Sequence, residues 1–157
     1  MSPLKYEAFF ITPENFLVPV QRNHIDVICD HPEIFGFTFE YVKNIFQKYN
    51  EPLKSEFQAR KELLKEIFEK GYIRLRFKVK QDCYWEIELL SIDCEKQKEQ
   101  IVAWAKKMIS DKNFGADINT PVRVIGNEKC WNEFENLTLF ELSRQESRME
   151  LKILDIS

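Results

Sequence analysis

The side chains that could hold a metal ion form one compact group near the start of the chain. They are His24, Asp26, Cys29, Asp30 and His31. Imidazole, thiolate and carboxylate groups are ligands for Zn²⁺ and other transition metals. Because His31 precedes Pro32, helical geometry is disfavoured at His31, and the two histidines are not expected on one helix face. Asp30 is also the expected cap of a helix. We therefore predict ordinary boundary residues here, with no metal and no cofactor.

The short motifs of common enzymes are absent from the sequence. Glycines occur only at positions 36, 71, 115 and 126, which excludes phosphate-binding loops of the GxGxxG and GxxxxGK types. A Cys–His nucleophilic pair, for example Cys130 with His24, would need a proximity that sequence does not show. We expect no catalytic residues. An enzyme or metal protein centred on His24, Cys29 and His31 stays open as an alternative.

The second group of residues that could have a chemical function is a row of four cations, each separated from the next by one residue. The row consists of Arg74, Arg76, Lys78 and Lys80. A sheet face can bind RNA or single-stranded DNA when it carries cations and nearby aromatic rings, here Tyr72 and Tyr84. Glu86 and Glu88 are expected opposite the row and would neutralise half of it. We favour a cross-strand charge ladder, and nucleic-acid binding by residues 72–80 is the alternative.

Aromatic side chains in polar stretches are the third group. Phe114 precedes Gly115 in a polar loop, and Trp131 and Phe134 lie in or just after the polar stretch of residues 127–133. Rings in loops most often fold back onto the core, and otherwise they serve as anchors for a protein partner. These three rings are therefore our candidate partner-binding residues.

These groups must be positioned by the elements that hydrophobic patterns predict. Residues 6–11 and 16–20 are short apolar runs split by turn residues, which predicts a hairpin. Pro19 cannot donate to a ladder, so the second strand of this hairpin is expected at a sheet edge.

Three helices are expected between this hairpin and the basic row. Asp30 and Glu33 match a capping box for a short helix that ends at Gly36. Thr38 is the expected cap of a second helix, and a third is expected over residues 52–70.

Strict alternation over residues 72–80 predicts a half-buried strand, and residues 84–90 alternate in the same way. A hairpin in which apolar meets apolar and cation meets anion is favoured on both faces. With residues 81–83 as the loop, the expected pairs are Phe77–Ile87, Val79–Trp85, Lys78–Glu86 and Arg76–Glu88.

The remaining elements complete a predicted α+β domain over residues 1–157. Asp93 is expected to cap a helix to about Ser110, and residues 121–125 form a predicted strand. Residues 137–142 and 149–153 are predicted as strands, although their apolar residues also fit a broken helix. We expect an antiparallel sheet, built from two hairpins and C-terminal strands, with three to four helices mainly on one face.

Composition narrows the class of protein. The chain has 157 residues, 44% hydrophobic and 31% charged, which is typical of one globular domain rather than of a disordered chain. A net charge of −3 gives no global attraction to nucleic acid or anionic lipid. No apolar run is long enough to span a bilayer, and the first residues do not resemble a signal peptide. We expect a cytoplasmic protein, without membrane binding, whose four cysteines are reduced.

Two stretches resemble a known group of proteins. One is the turn at residues 10–14 (Phe-Ile-Thr-Pro-Glu), followed by Val-Pro-Val at residues 18–20. The other, residues 69–76 (Glu-Lys-Gly-Tyr-Ile-Arg-Leu-Arg), carries a helix into a basic strand. They resemble small, mostly uncharacterised proteins of bacteriophages and mobile elements. The resemblance transfers no catalytic residues and implies an accessory protein that binds host or phage macromolecules.

Together these features favour a non-enzymatic protein-interaction module, in the form of a phage accessory protein or an inhibitor of a host defence system. Its expected partner is a protein. A nucleic-acid-binding protein that uses the basic strand is the alternative.

Overall fold

The computed structural model describes residues 4, 6–20, 28–49, 52–89, 93–126 and 131–154, and only the backbone of residues 52–57, 64 and 68. Over these residues the chain forms an α+β fold with a six-stranded sheet, which confirms the predicted class. The strands are β1 (Ala8–Ile11), β2 (Phe16–Pro19), β3 (Ile73–Val79), β4 (Cys83–Leu89), β5 (Val122–Ile125) and β6 (Lys152–Ile153). The α-helices with defined bounds are α1 (Phe39–Lys48), α2 (Pro52–Lys70), α3 (Cys94–Ser110) and α4 (Leu139–Ser143).

The sheet is mixed, with strand order β5-β4-β3-β1-β2-β6. The two predicted hairpins, β1–β2 and β3–β4, are antiparallel, as is the β1–β3 pair. The β4–β5 and β2–β6 pairs are parallel, so the prediction of a purely antiparallel sheet is wrong. Between β4 and β5, α3 returns the chain to the end of the sheet where β4 began, and such a crossover produces a parallel pair.

The β3–β4 hairpin has a register two residues away from the predicted one. Its loop is residues 80–82, and the pairs include Phe77–Trp85, Arg76–Glu86 and Arg74–Glu88. A shift of two residues keeps every side chain on its predicted face. The observed register gives each of the two arginines a carboxylate partner, whereas the predicted one paired Arg74 with an apolar residue.

Helices cover both faces of the sheet, so the prediction that they lie mainly on one face is wrong. On one face, α3 and α4 pack against strand residues such as Phe9, Leu75 and Trp85. On the other face, α1 and α2 pack against Phe10 and Val18. Both sides of the β1–β2 hairpin are apolar, because Phe9 and Phe10 are adjacent in sequence and point to opposite faces.

A buried amide fastens the β1–β2 turn to α3. The Gln100 Nε2 donates to the backbone oxygen of Thr12 and to Asn15 Oδ1, both at 2.9 Å. Lys96 Nζ donates to the backbone oxygen of Pro13 one helical turn earlier. Asn15 takes a left-handed φ of 68° in this turn, and its backbone oxygen accepts from Lys152 of β6. Two side chains of α3 therefore order the turn that receives the last strand.

The predicted helix starts are confirmed in two places and wrong in one. The side chains of Thr38 and Asp93 accept backbone hydrogen bonds at the starts of α1 and α3. Asp30 does not cap the next element, a 3-10 helix over Pro32–Phe35, whose N-terminal flanking residue is His31. Pro32 lies in the first turn of this helix, where its missing N–H costs nothing, and this moves the start past Asp30.

The C-terminal region differs most from its prediction. Residues 139–143 form α4 rather than a strand, because Thr138 and Glu141 make a reciprocal capping box. The second predicted strand is reduced to β6, which pairs only with Phe16 and Leu17. Because β2 lies between β1 and β6, the prediction that β2 is an edge strand is wrong. Pro19 is tolerated in β2 because β6 pairs with Phe16 and Leu17 and not with Pro19. Among the described residues, no helix has the length and apolar content needed to cross a membrane.

Candidate interaction surface

The three predicted anchor rings are packed in the core. Phe114, Trp131 and Phe134 are 3%, 3% and 2% exposed. Phe114 meets the ring of Phe9 edge-on at a centroid distance of 5.6 Å, and Trp131 lies 5.6 Å from Phe134. In this conformation the rings have folded back onto the sheet and α3, and none of them presents its surface to a partner.

Half of the basic row is neutralised by its neighbours. Arg74 forms an ion pair with Glu88, and Arg76 Nη2 lies 2.7 Å from Glu86 Oε1 and 3.5 Å from Glu88 Oε2. These arginine side chains are 22% and 37% exposed. Two of the four cations are therefore paired across the β3–β4 ladder, as the charge-ladder interpretation requires.

The other cations of this face remain outside the ladder. Lys78 is paired in register with Tyr84, and Lys80 lies in the exposed hairpin loop. Arg123 of β5 places its guanidinium 4.5 Å from the centre of the Tyr84 ring. Sequence analysis missed Arg123, because only the parallel β4–β5 pairing brings it next to β4. Lys78, Lys80 and Arg123 form no ion pair with a described residue.

The proposed metal-ligand group is only partly described. His24 and Asp26 lie outside the described residues, while Cys29 and His31 are half-buried. The described part of the chain contains no group of three or more side chains that could hold a metal ion.

The cysteines differ from the expectation of four reduced thiols. Cys29 and Cys83 are free thiols, but Cys94 is disulfide-bonded, so the expectation is wrong for Cys94. Cys130 lies outside the described residues. Cysteine number and spacing carry no information on which thiols the fold brings together, which is why composition misled here.

The groups whose pKa is shifted lie between α1 and α2 or are buried beneath these helices. A hydrogen bond from the Tyr49 hydroxyl to Glu62 raises the pKa of Tyr49 and lowers the pKa of Glu62. Burial raises the pKa of Tyr72, whose ring stacks on Phe35 at 5.5 Å. These groups connect or support helices. Their pKa shifts are therefore a consequence of packing and do not indicate a catalytic site.

An exposed apolar patch lies where α4 meets the loop after α3. Leu139 and Leu142 of α4 are buried, which directs Phe140 to the outside. The Phe140 N–H donates to the backbone oxygen of Ile118 at 3.0 Å, and the side chains of Phe140 and Ile118 are both 42% exposed. The capping box at Thr138 was the sequence signal that could have found this arrangement, because it starts the helix that turns Phe140 outward.

Arg144 completes this surface. Its guanidinium lies 5.4 Å from the centre of the Phe140 ring, a cation–π geometry. No described carboxylate lies within ion-pair distance of Arg144. We name Ile118, Phe140 and Arg144 the Phe140 patch. It combines an aromatic ring with an arginine, the side chains enriched at protein interfaces.

An open cleft of about 420 Å³ follows the patch along the chain. It is lined by Glu99 and Lys106 of α3 and by Glu146, Ser147 and Arg148. Glu146 is two residues after Arg144, so their Cα atoms are at most about 7 Å apart. The patch and the cleft are therefore neighbours along the chain, the first with an aromatic ring and an arginine and the second with four charged side chains.

The chain has no recognised relatives in three comparisons: no protein-family model, no curated protein and no solved structure matches it. Function is therefore inferred from the surface of the molecule.

Proposed function

We propose that the protein is a non-enzymatic protein-interaction module that binds its partner through the Phe140 patch. The observation that carries this proposal is the exposed Phe140 ring, whose centre lies 5.4 Å from the Arg144 guanidinium and whose backbone is hydrogen-bonded to the equally exposed Ile118. Aromatic and arginine side chains supply most of the large contributions to binding at protein interfaces.

The apolar side chains of the patch make a definite but modest contribution to the binding free energy. Full burial of a Phe or Ile side chain contributes about 1.5–3 kcal/mol, so covering the exposed 42% of Phe140 and Ile118 contributes about 1 kcal/mol each. Because α4 is fixed by its capping box and its buried leucines, little conformational entropy is lost when a partner covers this surface.

The chemistry of the patch also defines the partner. An unpaired cation beside an apolar ring is complementary to a protein surface that presents an apolar side chain next to a carboxylate. The resemblance to phage and mobile-element accessory proteins suggests the source of that surface, namely a bacterial host protein such as a component of a defence system.

Partner capture with a matched pair of phenylalanine variants tests the proposal. Tagged wild type, Phe140→Ala and Phe39→Ala are incubated with nuclease-treated bacterial lysate, and bound proteins are quantified by mass spectrometry. Phe39 is a suitable control because it is 70% exposed in the first turn of α1, away from the patch. We expect one stoichiometric partner, with its affinity reduced about fivefold by Phe140→Ala, as about 1 kcal/mol predicts, and unchanged by Phe39→Ala.

Two results would contradict this proposal. One is equal capture of the partner by wild type and Phe140→Ala, and the other is equal loss in both variants. Circular dichroism spectra of the variants must match that of the wild type, so that a reduced capture reports the contact rather than unfolding.

Nucleic-acid binding is the second candidate, favoured by the three cations Lys78, Lys80 and Arg123 that lie outside ion pairs beside Tyr84. Fluorescence anisotropy with a labelled single-stranded oligonucleotide tests it. Three phosphate contacts predict that log K falls with log salt at a slope of about −2, and Arg123→Gln should make the slope shallower. Binding that is absent or insensitive to salt would exclude this candidate.

A further inference from the structure

The charged cleft beside the Phe140 patch has two walls of similar composition. One wall is α3, with Glu99 and Lys106, and the other is the segment after α4, with Glu146 and Arg148. Each wall thus carries one carboxylate and one cation. None of these four side chains forms an ion pair with a described residue.

The two walls are held in place by Ser147. Its hydroxyl donates to the backbone oxygen of Glu99 at 3.2 Å and accepts from the Met149 N–H at 3.2 Å. The cleft is therefore formed before a ligand binds. Its four charged groups do not form ion pairs with one another and remain available to a ligand.

The charge pattern selects the class of ligand. An anion attracted by the two cations of the cleft would be repelled by its two carboxylates. A cation attracted by the carboxylates would be repelled by Lys106 and Arg148. A ligand with charge of one sign is therefore disfavoured. Glu99 and Lys106 are two helical turns apart, about 10 Å along α3, and Glu146 and Arg148 are at most about 7 Å apart. In a free α-amino acid a single carbon atom joins the ammonium and carboxylate groups. The distance between these two charges is too short to match the spacing of the charged residues on either wall.

The spacing of side chains in an extended peptide matches the wall formed by Glu146 and Arg148. Side chains at positions i and i+2 of an extended strand point to the same side and lie about 7 Å apart. We propose that the cleft binds an extended peptide segment with an acidic and a basic side chain two residues apart. Resting on the proposed function, this segment belongs to the protein partner and continues from its contact with the Phe140 patch.

A titration with short peptides tests the cleft by itself. The peptide acetyl-Lys-Ala-Glu-amide is added to ¹⁵N-labelled protein, with acetyl-Gln-Ala-Gln-amide as the neutral control and the Lys-Ala-Lys and Glu-Ala-Glu peptides as single-sign controls. We expect saturable shift changes at the amides of Glu99, Lys106 and Ser147 only with the mixed-charge peptide. The double variant Lys106→Met, Arg148→Met should weaken binding roughly fivefold, because two exposed ion pairs are lost.

The control variant is Lys43→Met, Lys80→Met, which removes the same charge from exposed positions outside the cleft. Equal shifts with the neutral peptide, stronger binding of a single-sign peptide, or equal weakening by the control variant would overturn the inference. Peptide binding without any effect of Phe140→Ala on partner capture would overturn the proposed function and leave the cleft standing. The opposite combination would overturn the cleft alone.

Discussion

At the scale of single residues, the polarity of the neighbouring residues does not predict whether an aromatic side chain is buried or exposed. Phe114 follows the polar residues Lys112 and Asn113 and is buried against Phe9 and Tyr6, whereas Phe140 follows Leu139 and is 42% exposed. The difference arises because a 3-10 turn over Lys112–Phe114 directs the first ring inward, while Leu139 and Leu142 already occupy the inner side of α4.

The burial of Phe114 has a measurable consequence for stability. We expect Phe114→Ala to lower the free energy of unfolding by about 3–5 kcal/mol, because it removes a ring from a packed core and leaves a cavity. Urea unfolding followed by circular dichroism measures this change, with Phe39→Ala as an exposed control expected within about 0.5 kcal/mol of the wild type. A loss comparable to that of the control would show that the ring is not a core residue.

Among the elements, the β1–β2 turn depends on α3, which lies about 85 residues later in the chain. The contact is carried by Gln100, a polar side chain that is almost fully buried. Its amide is the second donor to the buried backbone oxygen of Thr12, beside the Asn15 N–H.

We therefore expect Gln100→Leu to destabilise the protein by about 1–3 kcal/mol, because two hydrogen bonds are lost in a buried region: the Thr12 oxygen keeps only the Asn15 N–H as its donor, and Asn15 Oδ1 loses the Gln100 amide. The urea midpoint measures this effect. Gln47→Leu, at an exposed position of α1, is the matched control and should leave the midpoint unchanged. Equal midpoints for wild type and Gln100→Leu would mean that the turn holds its geometry without α3.

At the scale of the whole molecule, one sheet serves two apolar cores and one charged face. The β1–β2 end is covered on both sides, whereas β3, β4 and β5 are apolar on one side and carry charges on the other. The ladder pairs two cations of the charged side and leaves Lys78, Lys80 and Arg123 outside ion pairs with described residues, while the Phe140 patch and its cleft lie in the α3–α4 layer. A partner would meet the molecule at the edge of the α3–α4 layer.

Local features of the sequence determined the elements whose stability is decided within a few residues. Alternation placed β3 and β4 and assigned their faces, and Thr38 and Asp93 marked the starts of α1 and α3. Such signals succeed because periodicity and capping involve neighbouring residues. Tertiary structure decided what depends on distant contacts: the parallel β4–β5 pair, the register that joins Arg74 to Glu88, and the inward position of Phe114. It also created the Phe140 patch, because Ile118 and Phe140 meet only after α3 and α4 pack on the sheet.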